Sequence, residues 1–318
     1  MKKLNLLICL FSLLFACSAC GDDDIHYGPA AFSLSQKSSG SDYSDLAVYK
    51  RHHASAIKIL AIGNSFTINA STFMPGMVEE LNGDSICIAR LTRSGCTLAQ
   101  HWESHLADSP DYDFQYSDVG KWHTDAIHTI DDALSLFDWD VIVIQQQSGL
   151  AGVYDSYQPS LDCLVQLFRN SNPSAKIAWH YTWPYREGTN HGDFSRYDRD
   201  PQKMYEAILK AGDKASENLD IRIPAATLIW EMRRQYPEVE DGFSTDGYHI
   251  SDDLALFALS TLWYECLATP EAGTSSVDSP CYPESVDPDR FSRALAIIRT
   301  LTGVPDQGPS DAVDMVFD

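Results

Sequence analysis

Four short blocks, far apart along the chain, carry residue types that suit one reaction. Gly63-Asn64-Ser65-Phe66 ends a first apolar run, Ser94-Gly95-Cys96 follows a second, and Gln145-Gln146-Gln147-Ser148-Gly149 follows a third. Asp246-Gly247-Tyr248-His249 comes late, just before an amphipathic stretch. A serine hydroxyl becomes a nucleophile at neutral pH only with a base beside it. Imidazole can take that proton and return it to a leaving group. A carboxylate on the far ring nitrogen fixes the tautomer and stabilises the imidazolium. Ser65, His249 and Asp246 offer these three groups, and the three-residue spacing of Asp246 and His249 lets both converge on one hydroxyl. Singly, each has a plainer role: Ser65 as a turn or cap residue, Gly95 as a turn glycine, the glutamines as the end of a strand, His249 as a loop residue. The G-x-G-x-x-G and Walker patterns are absent. So is the G-x-S-x-G elbow, because position 67 is Thr.

These blocks need elements to hold them. Short, continuously apolar runs predict strands over 57–62, 85–91, 140–145, 176–181 and 221–224, buried on both faces of a parallel sheet. Apolar residues at three- and four-residue spacing predict helices over 71–81, 160–170, 201–217, 251–267 and 289–301. Ser251 is the expected N-cap of the fourth of these, and Pro201 fits the first turn of the third. The alternation predicts an α/β fold: a doubly wound, mostly parallel five-stranded sheet flanked by helices. Ligands of such sheets sit beyond the carboxyl ends of the strands, where all four blocks fall. Segments 108–127 and 184–200 break the pattern and are expected to be long loops. No internal repeat or mid-chain linker is visible, so one domain is expected over 56–305, with a tail over 306–318.

In order and content the blocks resemble the SGNH, or GDSL-like, hydrolase superfamily, most closely a lipoprotein subgroup catalogued as a domain of unknown function. The resemblance spans about residues 57–268. It implies a flavodoxin-like three-layer sandwich, Ser65 as nucleophile, His249 as base and Asp246 as its orienter. It also implies an oxyanion hole from the N–H groups of Ser65 and Gly95 and one side-chain amide. The superfamily commonly has Asn in a G-x-N-D block, where this chain has glutamines; by register Gln147 takes that place, with Gln145 its rival. Asn64 stands where the superfamily often has Asp. The implied activity is a serine esterase cleaving a carboxylic ester, an O-acetyl group on carbohydrate for example, through an acyl-enzyme and without a cofactor. The alternative is a glycan-binding lipoprotein on the same scaffold with little or no catalysis. Asn64, His180 and Trp183 are candidates for a substrate pocket, with apolar packing the other role for His180 and Trp183. His101 and His105 have i, i+4 spacing but lack a third ligand, so no metal is expected.

The first residues read as a processing signal. Lys2 and Lys3 precede an apolar stretch too short to span a bilayer. Leu14-Phe15-Ala16-Cys17 resembles the lipobox of bacterial lipoproteins, with Cys20 a second candidate for acylation, and Asp22-Asp23-Asp24 resembles a surface-export tag. The expectation is a signal peptide over 1–20, a polar, flexible tether over 21–55, and anchoring to the bacterial outer membrane through lipid alone. The 318 residues are 44% hydrophobic, enough for a sizeable core, and carry a formal net charge of -22. Such an acidic chain repels phosphate backbones, so nucleic acid is not an expected partner; an acylated carbohydrate or other small ester is. Beyond the signal, Cys87, Cys96, Cys163, Cys266 and Cys281 remain, an odd number without a C-x-x-C pair.

Overall fold

A computed structural model of the chain describes residues 46–273, 275–277 and 282–303. The expected signal, its cysteines, most of the tether, Cys281 and the C-terminal tail lie outside the described residues. Seven strands form one sheet: β1 Ile57–Gly63, β2 Ile86–Thr92, β3 Asp113–Asp118, β4 Lys121–Asp125, β5 Val141–Ile144, β6 Lys176–His180 and β7 Ile221–Ile223. Their order is β4-β3-β2-β1-β5-β6-β7. The five predicted strands form the parallel part, β2-β1-β5-β6-β7, each within a residue or two of its expected bounds. β3 and β4 add an antiparallel hairpin beside β2. This hairpin replaces part of the loop expected over 108–127. Phe114 and Tyr116 alternate inward and are buried, which gives the ribbon an apolar face.

The chain runs outward from β1 to β2, then returns to β5 on the other side of β1. That reversal opens a crevice beyond the carboxyl ends of β1, β2 and β5. Register pins it: Gly63 lies opposite Thr92, and Ile62 opposite Ile144.

The helices are α1 Leu46–His52, α2 Ser65–Ala70, α3 Met74–Asn82, α4 Leu98–Leu106, α5 Ile130–Ser135, α6 Ser160–Ser171, α7 Pro201–Ala215, α8 Ala225–Gln235, α9 Asp253–Leu267, α10 Thr269–Ala272 and α11 Pro288–Thr302. α3, α8 and α11 pack around α9 on one side, whereas α4, α5 and α6 pack with one another. α9 is apolar around almost its whole circumference and buried accordingly. Asp252, rather than Ser251, caps it, accepting from the N–H groups of Leu254 and Ala255.

The helix expected over 71–81 is α3, which starts three residues late, and the short α2 before it was not expected. Ser71 Oγ donates back to the Thr67 carbonyl, and Pro75 starts α3. Ser260 on α9 stitches the break: its Oγ accepts from Phe73 N and donates to the Ala70 carbonyl. α1 corrects the expected tether, whose last residues join the fold. Tyr49 is fully buried there, its ring against Tyr116 and its hydroxyl donating to Cys87 Sγ at 3.1 Å.

Candidate active site

β1 ends where Gly63 leaves no room for a side chain. A Cβ there would sit 2.1 Å from Thr67 Oγ1 and 3.3 Å from Gln145 Cδ. Asn64 then caps α2. Its Oδ1 accepts from Phe66 N at 3.1 Å and from Gln145 Nε2 at 2.6 Å, while its Nδ2 donates to the Cys96 carbonyl at 3.1 Å. One side chain thus ties the end of β1 to the segments following β2 and β5. Asn64 is buried with its polar atoms engaged, so it holds the site together and does not line a pocket.

With Asn64 as cap, Ser65 becomes the first residue of α2 and its hydroxyl is free to face outward. Ser65 Oγ lies 2.7 Å from His249 Nε2, and His249 Nδ1 lies 2.8 Å from Asp246 Oδ2. A carboxylate only accepts, so Nδ1–H donates to Asp246 and Nε2 accepts from the serine. The other carboxylate oxygen, Oδ1, accepts from Tyr248 N at 2.9 Å, His249 N at 2.8 Å and Ser244 Oγ at 3.2 Å. Burial alone would raise the Asp246 pKa. Hydrogen bonds from the His249 ring and from the two N–H groups outweigh it and hold the carboxyl below its ordinary 3.8. The His249 and Asp246 side chains are 18% and 28% exposed, so the group opens to solvent.

Several supports were invisible as motifs. Asn69 Oδ1 accepts from Ile250 N, fixing the histidine segment to α2. Segment 184–200, expected as a loop, straps the same turn: Arg186 N donates to the Gly247 carbonyl, and Thr189 Oγ1 to that of Asp246. Tyr248 lays its ring 4.3 Å from that of His249, and His191 its ring 4.8 Å from that of Tyr248. A polar residue inside an otherwise buried helix, as at Asn69, was the one sequence signal available.

The three glutamines have three different tasks. Gln145 Nε2 is committed to Asn64. Gln146 Oε1 accepts from Leu98 N and Gln147 N, and its Nε2 donates to Ser156. Gln147 Oε1 accepts from Leu150 N, while its half-buried Nε2 donates to no described group. Gly95 has a left-handed φ of +60°, and its N–H, like that of Ser65, donates to no described group.

His180 and Trp183 are corrected from pocket candidates to packing. Both are fully buried. Trp183 stacks on Phe66 at 4.3 Å and donates Nε1–H to the Tyr248 carbonyl, bracing both ends of the site from beneath. His180 abuts Trp263 of α9 at 5.1 Å, and neither ring nitrogen has a partner among the described residues. Burial pushes its pKa down to about 3.

The unfolded chain therefore binds a proton that the folded one refuses, and stability falls as pH drops below about 6.5. His180→Phe should remove one such contribution, about 2 kcal/mol between pH 6.5 and 5. Thermal unfolding at pH 7 and pH 5 checks this: the variant should lose less Tm than wild type, and an equal loss refutes the assignment. His101 is likewise buried and pushed to about 3, with Nδ1 against the Tyr112 hydroxyl, whereas His105 pairs with Asp131. The i, i+4 pair thus shares no ligand.

Fold and site together define a three-layer α/β protein with a serine, a histidine and a carboxylate hydrogen-bonded in series at the sheet's carboxyl edge. The chain belongs to the family described as a domain of unknown function, DUF4886, whose model matches residues 58–293. A DUF4886 family protein from Bacteroides uniformis, known as a crystal structure, is 30% identical; the match covers 79% of this chain and 96% of that one, with a TM-score of 0.69. A catalytic mutant of an acetylxylan esterase from Geobacillus stearothermophilus is 11% identical over 67% of this chain and 95% of that one, with a TM-score of 0.43. No curated protein matches the chain.

Proposed function

We propose that the chain is a serine esterase: Ser65 attacks a carboxylic ester, and His249, oriented by Asp246, serves as base and then as acid. The observation that carries this is the unbroken series Asp246–His249–Ser65, at 2.8 and 2.7 Å, in a solvent-open position. Attack forms the Ser65 Oγ–acyl bond as His249 Nε2 takes the hydroxyl proton. Collapse releases the alcohol, which receives that proton, and water then cleaves the acyl-enzyme by the same relay.

The N–H groups of Ser65 and Gly95 and the Gln147 amide form the oxyanion hole in this reading. Gln147 is preferred to Gln145 because its amide hydrogens are unclaimed. Gln147→Ala should lower kcat about 10²- to 10³-fold at nearly unchanged Tm. Gln145→Ala should instead lower Tm, because Asn64 loses a buried partner. Steady-state kinetics beside thermal melts separates the two roles, and the reverse pattern would exchange them.

The finer reading is an exported protein, anchored to the bacterial outer membrane by lipid on Cys17 or Cys20, that removes acyl groups, acetyl above all, from carbohydrate. This half rests on the sequence resemblances. Among the described residues, no helix is long and apolar enough to cross a membrane. The binding-only alternative drew its support from the glutamine block, and two of those glutamines have structural tasks that leave a hydrolase intact. A fluorophosphonate probe should label Ser65, located by peptide mass spectrometry, and the protein should hydrolyse p-nitrophenyl acetate. Absence of both reactions would sink the esterase reading. A panel of acetylated polysaccharides tests the substrate.

A further inference from the structure

At the opposite end of β1 lies a second group of chemically capable side chains. His52 ends α1, His53 follows it, and Asp84 lies in the turn between α3 and β2. Both segments lead into paired strands, since Ile57 and Ile86 are in register. Seven residues of strand at about 3.3 Å each put the cluster roughly 20 Å from Ser65.

His52 Nε2 lies 3.2 Å from Asp84 Oδ2, and His53 Nε2 lies 3.8 Å from Asp84 Oδ1. One ligand atom from each of the three residues lies within 4.8 Å of the others. A tetrahedral ion bound at about 2.1 Å holds its ligand atoms about 3.4 Å apart, so small side-chain adjustments bring these onto one centre.

His53 is pre-set for the task. Its Nδ1 lies 3.1 Å from the Tyr49 carbonyl, which can only accept, so Nδ1 carries the proton and Nε2 presents the lone pair of the neutral ring. Its ring packs 4.1 Å from that of Tyr49 and is almost wholly buried. Beside His53 and Asp84 lies a hollow of about 10 Å³, the room one water or small ion occupies, lined also by Glu79 and Asp118.

We infer that His52, His53 and Asp84 form a binding site for a zinc-class divalent metal, which clasps α1 to the turn entering β2. Two imidazoles and one carboxylate suit zinc and its neighbours better than calcium or magnesium, which take oxygen ligands. The fourth position is open to water. The role is structural, because the catalytic edge is at the far end of the strand, and binding requires α1 to be docked.

Isothermal titration of the full chain with zinc, after dialysis against chelator, tests the site. Wild type should bind one zinc, and His52→Ala and Asp84→Asn should each weaken that binding at least tenfold. The His52 and Asp84 side chains are 35% and 61% exposed, so these variants should fold. Hydrolysis of p-nitrophenyl acetate by either variant should equal that of wild type. Calcium titrated in place of zinc should give no matching heat. Wild type that binds no zinc, or variants that bind it as tightly, would overturn the site; so would calcium binding at the same strength.

Discussion

A Ser65→Ala variant should hydrolyse short-chain esters about 10⁵- to 10⁶-fold more slowly than wild type, the scale of losing the nucleophile in a serine hydrolase. The fold should not register the change. Ser65 is the first residue of α2, and its cap is the Asn64 side chain, which remains. Alanine is also the best helix former. Tm within a degree or two of wild type, with kcat near the detection limit, is therefore the expected pair of measurements. A residual rate within tenfold of wild type would move the nucleophile elsewhere. If probe labelling persisted in the variant, the same conclusion would follow.

Asp246→Asn should cost about 10⁴-fold in kcat, with KM little changed. The two carboxylate oxygens divide the work. Oδ1 receives the N–H groups of Tyr248 and His249, and Oδ2 receives the His249 ring. An asparagine keeps its oxygen for the two N–H groups and turns its NH₂ toward the ring. Nδ1 must then accept, the proton moves to Nε2, and Nε2 can no longer take one from Ser65. The geometry survives while the base is lost. Stability gives a second readout. Because Asp246 is held below its ordinary value, its contribution is present above about pH 4 and lost as pH falls further. Asparagine removes that acid-side loss. A kcat within tenfold of wild type would show that His249 is oriented by something else.

The parallel core was legible because its strands are buried on both faces. Val141-Ile142-Val143-Ile144 has no polar residue to misplace, and the expected and observed bounds nearly coincide. The hairpin of β3 and β4 was not legible. Its alternation of Phe114 and Tyr116 is real, but Asp and Tyr around it read as loop, and its pairing with β2 is a long-range fact. α2 was not legible, nor was the late start of α3, because the break between them is held by Ser260, far along the chain. The chemical types at the site were readable from the four blocks. Which glutamine does what was not, because that depends on rotamers set by Asn64, Leu98 and Leu150. His180 ends a strand that points toward the site, yet Trp263 of α9 covers it, and sequence order gives no hint of that cover.

The hydrogen bond between Ser65 and His249 joins residues 184 apart, and that between Asn69 and Ile250 residues 181 apart. Such contacts carry the entropy of closing almost the whole domain. A growing chain holds Ser65 early, but Asp246 and His249 arrive only after β7 and α8 have been made. On the esterase reading, the chemistry is therefore timed by synthesis. If Ser65 is the nucleophile proposed above, a partly made chain carries a serine of ordinary reactivity until the final helices dock, and fragments that end before Asp246 should be chemically silent.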